Sequence, residues 1–297
     1  MGYDAPFEGL RVIDISQGVS GPYAGMLMAQ YGADVVKVEP IEGEWGRFIS
    51  RDYDKHSAFS VTTNLGKRSL ALDLKSEEGK EALRKLIIDA DVFIENFRPG
   101  VTERLGFSYD EVRKISPKVI YLSVSGFGNS GPMRERPAMD PVLQAFSGLM
   151  SVNMGEDGIP HRIGVVICDM ATALYGFQAL STALYARREE KTGCLIETNL
   201  MQGAACLSAI RMMMVSLEQG AYVIGRVPAG VFEAADGYLT ILMYKDEEFP
   251  KLCDLLDLPE IGRDQNFATN NQRVEREAEI MPKIRAAFKK KSLIELS

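Results

Sequence analysis

The chain reads as an α/β protein, with a doubly wound, Rossmann-like large domain over residues 1–224 and a smaller α+β domain over 225–297. Three observations carry this. β-rich and helical segments alternate through the first half of the chain. A loop of small residues, Gln17-Gly18-Val19-Ser20-Gly21, separates the first strand from the first helix. After a Gly- and Pro-containing stretch at 225–230, the pattern changes to a hairpin and short helices.

The elements follow in order. Residues 10–16 (Leu-Arg-Val-Ile-Asp-Ile-Ser) are rich in β-branched and apolar side chains and form a buried strand. Pro22 suits a first helical position, and the helix over 23–31 stops at Gly32, a favourable residue just past a helix end. A strand over 34–39 halts before Pro40. Strand, glycine loop, helix and strand make a βαβ unit with parallel strands. The pattern repeats: a strand at 69–74, an amphipathic helix at 76–89 capped by Ser76, then strands at 91–95 and 118–125. From 168 to about 219 the signal is helical, with an interruption at 193–198 where one more strand fits. Residues 231–242 form a hairpin turning at Asp236-Gly237, and helices follow at 247–256 and 275–290.

Composition narrows the function classes. A chain of 297 residues can bury a sizeable core. Its net charge of −7 disfavours nucleic acid as the main partner, because phosphate neutralisation needs a basic face. The four cysteines form no C-x-x-C pair, so neither a zinc site nor a disulfide framework is expected. The start, Met1 to Pro6, lacks the basic and apolar regions of a secretory signal, which points to the cytoplasm. The apolar stretch at 163–186 carries Asp169 and several Thr, Ser and Gly residues, so it reads as a buried helix and no membrane partner is expected.

The candidate chemistry is sparse. In doubly wound folds the first strand–helix loop approaches phosphorylated ligands. Here Gly18-Val19-Ser20-Gly21 is not a G-x-G-x-x-G motif, and Glu39 is a weak partner for a ribose. The glycines either make the turn alone or bring the backbone to a ligand; spacing leaves both open. Asp169 stands out as the one charged residue between Ile163 and Ala186. A carboxylate in apolar surroundings is hydrogen-bonded or put to use. Because it sits where a helix starts, the local reading is a helix N-cap, which is compatible with catalysis. The only histidines, His56 and His161, lie in no recognisable catalytic context. Arg47, Lys67, Arg68, Arg98, Arg104, Arg134 and Arg136 recur at loop positions, and those after strand ends are placed to hold phosphates.

Taken in order, these segments resemble the family III CoA-transferases, a group that includes formyl-CoA transferase, the carnitine enzyme and the α-methylacyl-CoA racemases. The resemblance rests on Leu10-Arg11-Val12-Ile13-Asp14, Ser20-Gly21-Pro22, Gly32 through Pro40, and Asn64 through Leu70. It continues through Glu95-Asn96-Phe97-Arg98-Pro99-Gly100, Arg104-Leu105-Gly106, Ser125-Gly126-Phe127-Gly128, Ala145-Phe146-Ser147-Gly148 and Asp236-Gly237-Tyr238. It implies that Asp169 is a nucleophile moving CoA from an acyl-CoA to a carboxylic acid, through an aspartyl anhydride and an aspartyl-CoA thioester. A helix N-terminus would keep that carboxylate ionised. It also implies that Gln17, Gly18, Val19, Ser20, Lys37, Leu72, Asn96, Phe97, Arg98, Arg104 and Arg136 surround CoA, with Arg98 and Arg104 on phosphates and Leu72 and Phe97 on the adenine. No metal and no permanently bound cofactor are implied; coenzyme A and acyl-CoA are substrates. The racemase branch carries a histidine where this chain has Met139, which favours transfer over racemisation. Family members continue past the point matching Leu293–Ser297, so the small domain is expected to be incomplete relative to them. In the family two rings interlock as a homodimer. The alternatives are a racemase-like isomerase and a non-catalytic CoA-binding homologue.

Overall fold

Alternating apolar residues in β1 (Arg11–Asp14) decide the architecture of the first unit. Val12 belongs to a core that contains Ala24, Met28, Val92 and Ile94, whereas Ile13 belongs to one that contains Leu83, Ile87 and Phe93. A strand buried on both faces needs helices on both sides, as a parallel sheet supplies. The computed structural model describes residues 4–154, 158–190, 192–220 and 225–297. Met1 to Tyr3, from the segment read for a secretory signal, and residues 221–224, at the expected domain boundary, lie outside them.

The chain continues as α1 (Ser20–Gln30), β2 (Asp34–Glu39), a 3-10 turn (Trp45–Phe48), α2 (Ala58–Asn64), β3 (Arg68–Ala71), α3 (Glu77–Ile87) and β4 (Val92–Glu95). Then come α4 (Val101–Leu105), α5 (Tyr109–Ile115), β5 (Ile120–Ser125), α6 (Asp140–Phe146), α7 (Leu149–Val152), α8 (Ile167–Glu190), β6 (Cys194–Asn199) and α9 (Leu200–Leu217). The sheet has six strands in the order β3-β2-β1-β4-β5-β6, and every pairing is parallel. This is the doubly wound order expected from the alternation. The predicted interruption at 193–198 is β6, an edge strand in register with β5 from Ile120↔Cys194 to Ser125↔Asn199. Ser76 caps α3 by accepting from the Gly79 N–H. The short helices α2, α4, α5, α6 and α7 were not anticipated; at four to seven residues they are too short for a periodic apolar stripe.

The two long helices differ from expectation. The stretch read as a buried helix is α8; it buries Cys168, Ala173, Leu180 and Leu184, yet exposes Leu174, Tyr175 and Tyr185. α9 exposes Leu207, Ile210, Met213 and Leu217. By length and composition alone α9 is apolar enough to cross a membrane.

The chain packs as two compact units, Met1–Arg211 and Met212–Ser297. The division falls inside α9, ahead of the Gly- and Pro-containing stretch that the sequence marks. The second unit holds β7 (Ala229–Glu233), β8 (Tyr238–Leu242), α10 (Glu248–Leu255), α11 (Pro259–Arg263), α12 (Asn270–Glu275) and α13 (Glu277–Phe288). β7 and β8 form the antiparallel hairpin read at Asp236-Gly237. Its core gathers Phe232, Phe249, Cys253, Ile280, Ile284 and Phe288. Arg273 is buried beside this core: its guanidinium donates to the carbonyls of Val227 and Phe267 and to Asp246 Oδ1 at 2.7 Å, over the Phe249 ring.

Candidate active site

β1 and β4 are neighbours in the sheet, yet the helices that follow them pack on opposite faces, α1 with Val12 and α5 with Ile13. A reversal of this kind opens a crevice beyond the strand ends, where doubly wound folds bind ligands. A cavity of about 380 Å³ lies there. Its walls include Gln17, Val19 and Ser20 from the loop after β1, Asn96, Phe97 and Arg98 from the turn after β4, and Arg136, Met139 and Asp169.

The loop after β1 is held from three sides. The Gln17 N–H donates to Asn96 Oδ1 at 2.7 Å, and its carbonyl accepts from Asn96 Nδ2 at 2.6 Å. The Gly18 N–H donates to Glu44 Oε2 at 2.6 Å, and Glu44 is buried. Gly18 sits at φ +81°, and a Cβ there would fall 2.1 Å from the Trp45 ring. Trp45, the one tryptophan of the chain, closes over this glycine and lines the cavity. The glycines therefore serve close approach, here of an indole as well as the turn itself.

Below the loop lies a buried charge cluster. Lys67 Nζ donates to Asp14 Oδ2 at 2.7 Å, to the Pro22 carbonyl at 2.6 Å and to Asn64 Oδ1 at 2.8 Å. Burial would push the Asp14 carboxyl up, but the charges of Lys37 and Lys67 and hydrogen bonds from Lys67 and Ser16 together hold it below its ordinary value. Burial pulls Lys67 down to about 8, against the opposing pull of Asp14. Lys37, implied by the resemblance to face CoA, is itself buried; its Nζ donates to the Ser16 carbonyl and lies 4.0 Å from Asp14 Oδ1. Lys37 thus supports the loop from below and lines neither the Asp169 cavity nor the Leu72 cavity.

Asp169 is the third residue of α8, inside the helix and not at its N-cap. The residue before the helix, Val166, has no side-chain acceptor to offer. The capping is done instead by Asp140, on α6: its Oδ2 accepts from the Cys168 N–H at 2.7 Å and from the Asp169 N–H at 3.1 Å. The other Asp140 oxygen accepts from Gln144 Nε2 at 2.6 Å. Gln144 in turn ties down the segment before α8, accepting from the Ile163 N–H at 2.8 Å and donating to the Val165 carbonyl at 3.1 Å. The Asp169 carboxyl is pushed up to about 7, first by burial and then by the negative charge of Asp140, with a hydrogen bond from Ser20 opposing both. This departs from the expectation that the helix N-terminus keeps it ionised, because the N–H groups of that terminus are engaged by a different carboxylate.

Two further cavities adjoin. One of about 410 Å³ is lined by Leu72, Leu74, Val38, Pro40, Leu105 and Phe97, with Lys75 and Gln17 also lining it. The other, of about 530 Å³, is lined by Arg98, Arg104 and Arg134 together with Glu95, whose carboxyl burial pushes up to about 7. Phe97 lines all three cavities and Arg98 lines two. Arg98 and Arg104 are exposed and, among the described residues, in no ion pair. The structure thus gathers Gln17, Val19, Ser20, Asn96, Phe97, Arg98, Arg136 and Asp169 at one cavity. It places Leu72 in the second and Arg104 in the third, keeps Gly18 off the cavity wall against the Trp45 ring, and buries Lys37. Sequence reasoning passed over Glu44, Trp45, Asp140 and Gln144. The single tryptophan was a usable signal; an Asp before a Pro gave none.

A profile of CoA-transferase family III matches residues 7–297. The chain belongs to CoA-transferase family III. It is 34% identical over 295 residues to the succinyl-CoA:glutarate CoA-transferase of Mus musculus, covering 95% of this chain and 67% of that protein. It is 35% identical over 277 residues to the acetyl-CoA:oxalate CoA-transferase of Acetobacter aceti, covering 91% of this chain and 71% of that one. Among solved structures, a CAIB/BAIF family protein from Brucella suis superposes with a TM-score of 0.87 at 32% identity, covering 99% of this chain and 80% of that one. The chain thus spans about two thirds of the length of these curated relatives.

Proposed function

We propose that this family III member moves CoA from an acyl-CoA thioester to a free carboxylic acid, with Asp169 as the nucleophile. One observation carries the assignment of that residue. The Asp169 carboxylate lines the crevice cavity, and among the described residues its hydrogen-bond donor is the Ser20 side chain. A carboxylate with so little solvation is more basic and more nucleophilic than one in water.

In the first step an Asp169 oxygen attacks the thioester carbonyl carbon, the C–S bond breaks, and CoA leaves as a thiolate. The thiolate attacks the Asp169 acyl carbon of the resulting anhydride; the donor acid departs as a carboxylate, leaving an aspartyl-CoA thioester. The acceptor carboxylate attacks that thioester and expels the thiolate again. The thiolate then attacks the acceptor's carbonyl in the new anhydride, forming the product thioester and freeing Asp169. No net proton is exchanged, so no general base is required.

The apolar cavity around Leu72 and Phe97 suits the adenine, and the guanidiniums of Arg98 and Arg104, in no ion pair among the described residues, suit the phosphates. For the acceptor we infer a short dicarboxylic acid. Arg136 lines the Asp169 cavity and offers a counter-charge for a second carboxylate. The relatives' names, which pair succinyl-CoA with glutarate and acetyl-CoA with oxalate, support that class. The test is transfer from succinyl-CoA or acetyl-CoA to a panel of glutarate, succinate, oxalate and a monocarboxylic control. Asp169→Ala is expected to abolish transfer while CoA still binds by calorimetry, and hydroxylamine is expected to trap a modified Asp169 in the unsubstituted protein. Full turnover in Asp169→Ala sinks the assignment. Preference for the monocarboxylate sinks the acceptor class.

A further inference from the structure

We propose that Asp140 is a positioning residue for Asp169, occupying the two backbone N–H groups at the start of α8 so that the Asp169 carboxylate engages neither and stays turned into the cavity. This rests on the reading of Asp169 as the nucleophile.

The first turn of a helix presents N–H groups without intrahelical partners. An acidic residue at the third helical position ordinarily benefits from them, both by hydrogen bonding and through the positive end of the helix dipole. In α8 the Met170 N–H reaches the Val166 carbonyl at 3.0 Å, and the Ile167 N–H reaches the Val165 carbonyl at 2.9 Å. The two that remain, on Cys168 and Asp169, both go to Asp140 Oδ2. The Asp140 carboxylate is itself fixed. It is 3% exposed and is held on its other oxygen by Gln144, which is 1% exposed. With these groups engaged, no backbone N–H among the described residues donates to the Asp169 carboxylate, and Ser20 is its one side-chain donor.

The charges around Asp169 place Asp140 apart from the rest. α1 presents Ser20 and no charged side chain. β5 presents Ser125 to the same cavity, and Leu200 enters it from the start of α9. Arg98, Arg134, Glu135 and Arg136 line the other walls, and none of them figures among the causes of the Asp169 shift. Asp140, on α6, is the charge that does. Two adjacent carboxylates in different environments divide their roles: Asp140 spends its oxygens on hydrogen bonds from Cys168, Asp169 and Gln144, whereas the Asp169 carboxyl faces the cavity.

The test is the titration of Asp169 itself, which needs no turnover. Protein labelled with carboxyl-¹³C aspartate is titrated by NMR, and the resonance absent from Asp169→Asn is assigned to Asp169. In the unsubstituted protein its midpoint is expected near neutrality. In Asp140→Asn, which keeps an oxygen acceptor but loses the charge, the proton affinity of Asp169 is expected to fall about tenfold or more. In Asp140→Glu, which keeps the charge, it is expected to stay near the unsubstituted value. An Asp169 midpoint in the ordinary carboxylate range in the unsubstituted protein overturns the proposal without any Asp140 variant. So does an unmoved midpoint in folded Asp140→Asn, or an equal fall in folded Asp140→Glu. The expected midpoints in all three proteins with no CoA transfer sink the functional reading and leave the positioning role standing; transfer with an Asp169 midpoint in the ordinary carboxylate range does the reverse.

Discussion

Replacing Asp169 by Asn should stabilise the first unit at alkaline pH and leave it nearly unchanged at acid pH. The carboxyl is raised from its ordinary value of 3.8 to about 7. The folded protein therefore holds a proton on Asp169 that the unfolded chain gives up across that window. Where the folded state binds more protons, stability falls as pH rises. At one pH unit per ~1.4 kcal/mol, a shift of this size corresponds to at most about 4 kcal/mol. Partial access to the cavity moderates it, so about 2–4 kcal/mol is the working range. Below the ordinary aspartate value this destabilisation vanishes; above about 7 it is fully present. The amide that replaces the carboxyl carries no titration and can still accept from Ser20. The stability of Asp169→Asn minus that of the unsubstituted protein should thus climb with pH across the window. Glu95, also raised to about 7, titrates in both proteins and cancels in the difference. Urea unfolding at pH 4, 5.5 and 8, followed by Trp45 fluorescence, measures it, because the one tryptophan lies in the same compact unit as Asp169. A difference that is flat with pH, or that falls, refutes the claim that Asp169 is poorly solvated.

Two further outcomes follow from the supports of the loop after β1. Gly18→Ala places a methyl against the Trp45 ring at a backbone angle of +81°, so it should displace the indole, change Trp45 fluorescence and weaken CoA binding by calorimetry at least tenfold; an unaltered spectrum contradicts the packing. Lys67→Met strands Asp14 in the core with only Lys37 nearby and should destabilise the protein by about 3–5 kcal/mol at neutral pH in urea unfolding. That loss should shrink in acid as Asp14 takes a proton; a loss independent of pH would assign it to packing instead.

What could be read from the sequence follows a physical divide. Val12, Ile13, Val36 and Val92 are buried on both faces of one sheet, and their local patterning suffices to mark strands. The Gly18 loop could be marked as special because only glycine tolerates its geometry. Asp169 could be marked because an isolated carboxylate in an apolar run is unusual. What could not be read is contact between distant segments. Asp140 caps a helix that begins 27 positions later, Glu44 holds Gly18, and Lys37 lies buried beneath the loop. None of these leaves a periodic or spacing signal, because each depends on which strand ends the sheet order brings together. The Gly- and Pro-containing stretch at 225–230 is visible locally, whereas the division of packing at Arg211/Met212, within a continuous helix, leaves no local mark.

The arrangement around α8 resolves a conflict that any carboxylate nucleophile at a helix start must face. A helix N-terminus stabilises an anion, and the same stabilisation makes that anion a weaker nucleophile. Placing Asp169 there with the N–H groups free would tie the reactive oxygen to its own backbone. Capping α8 with Asp140 satisfies the helix, because Cys168 and Asp169 donate to it and neither buried N–H is left unpaired. It also places a fixed negative charge beside Asp169, which opposes ionisation in the cavity. Ser20, at the start of α1 and lining the same cavity, is then, among the described residues, the donor whose strength decides how far that opposition is relieved. In the nucleophilic role proposed for it, Asp169 would therefore depend on α6 through Asp140 and on α1 through Ser20, and only secondarily on the helix that carries it.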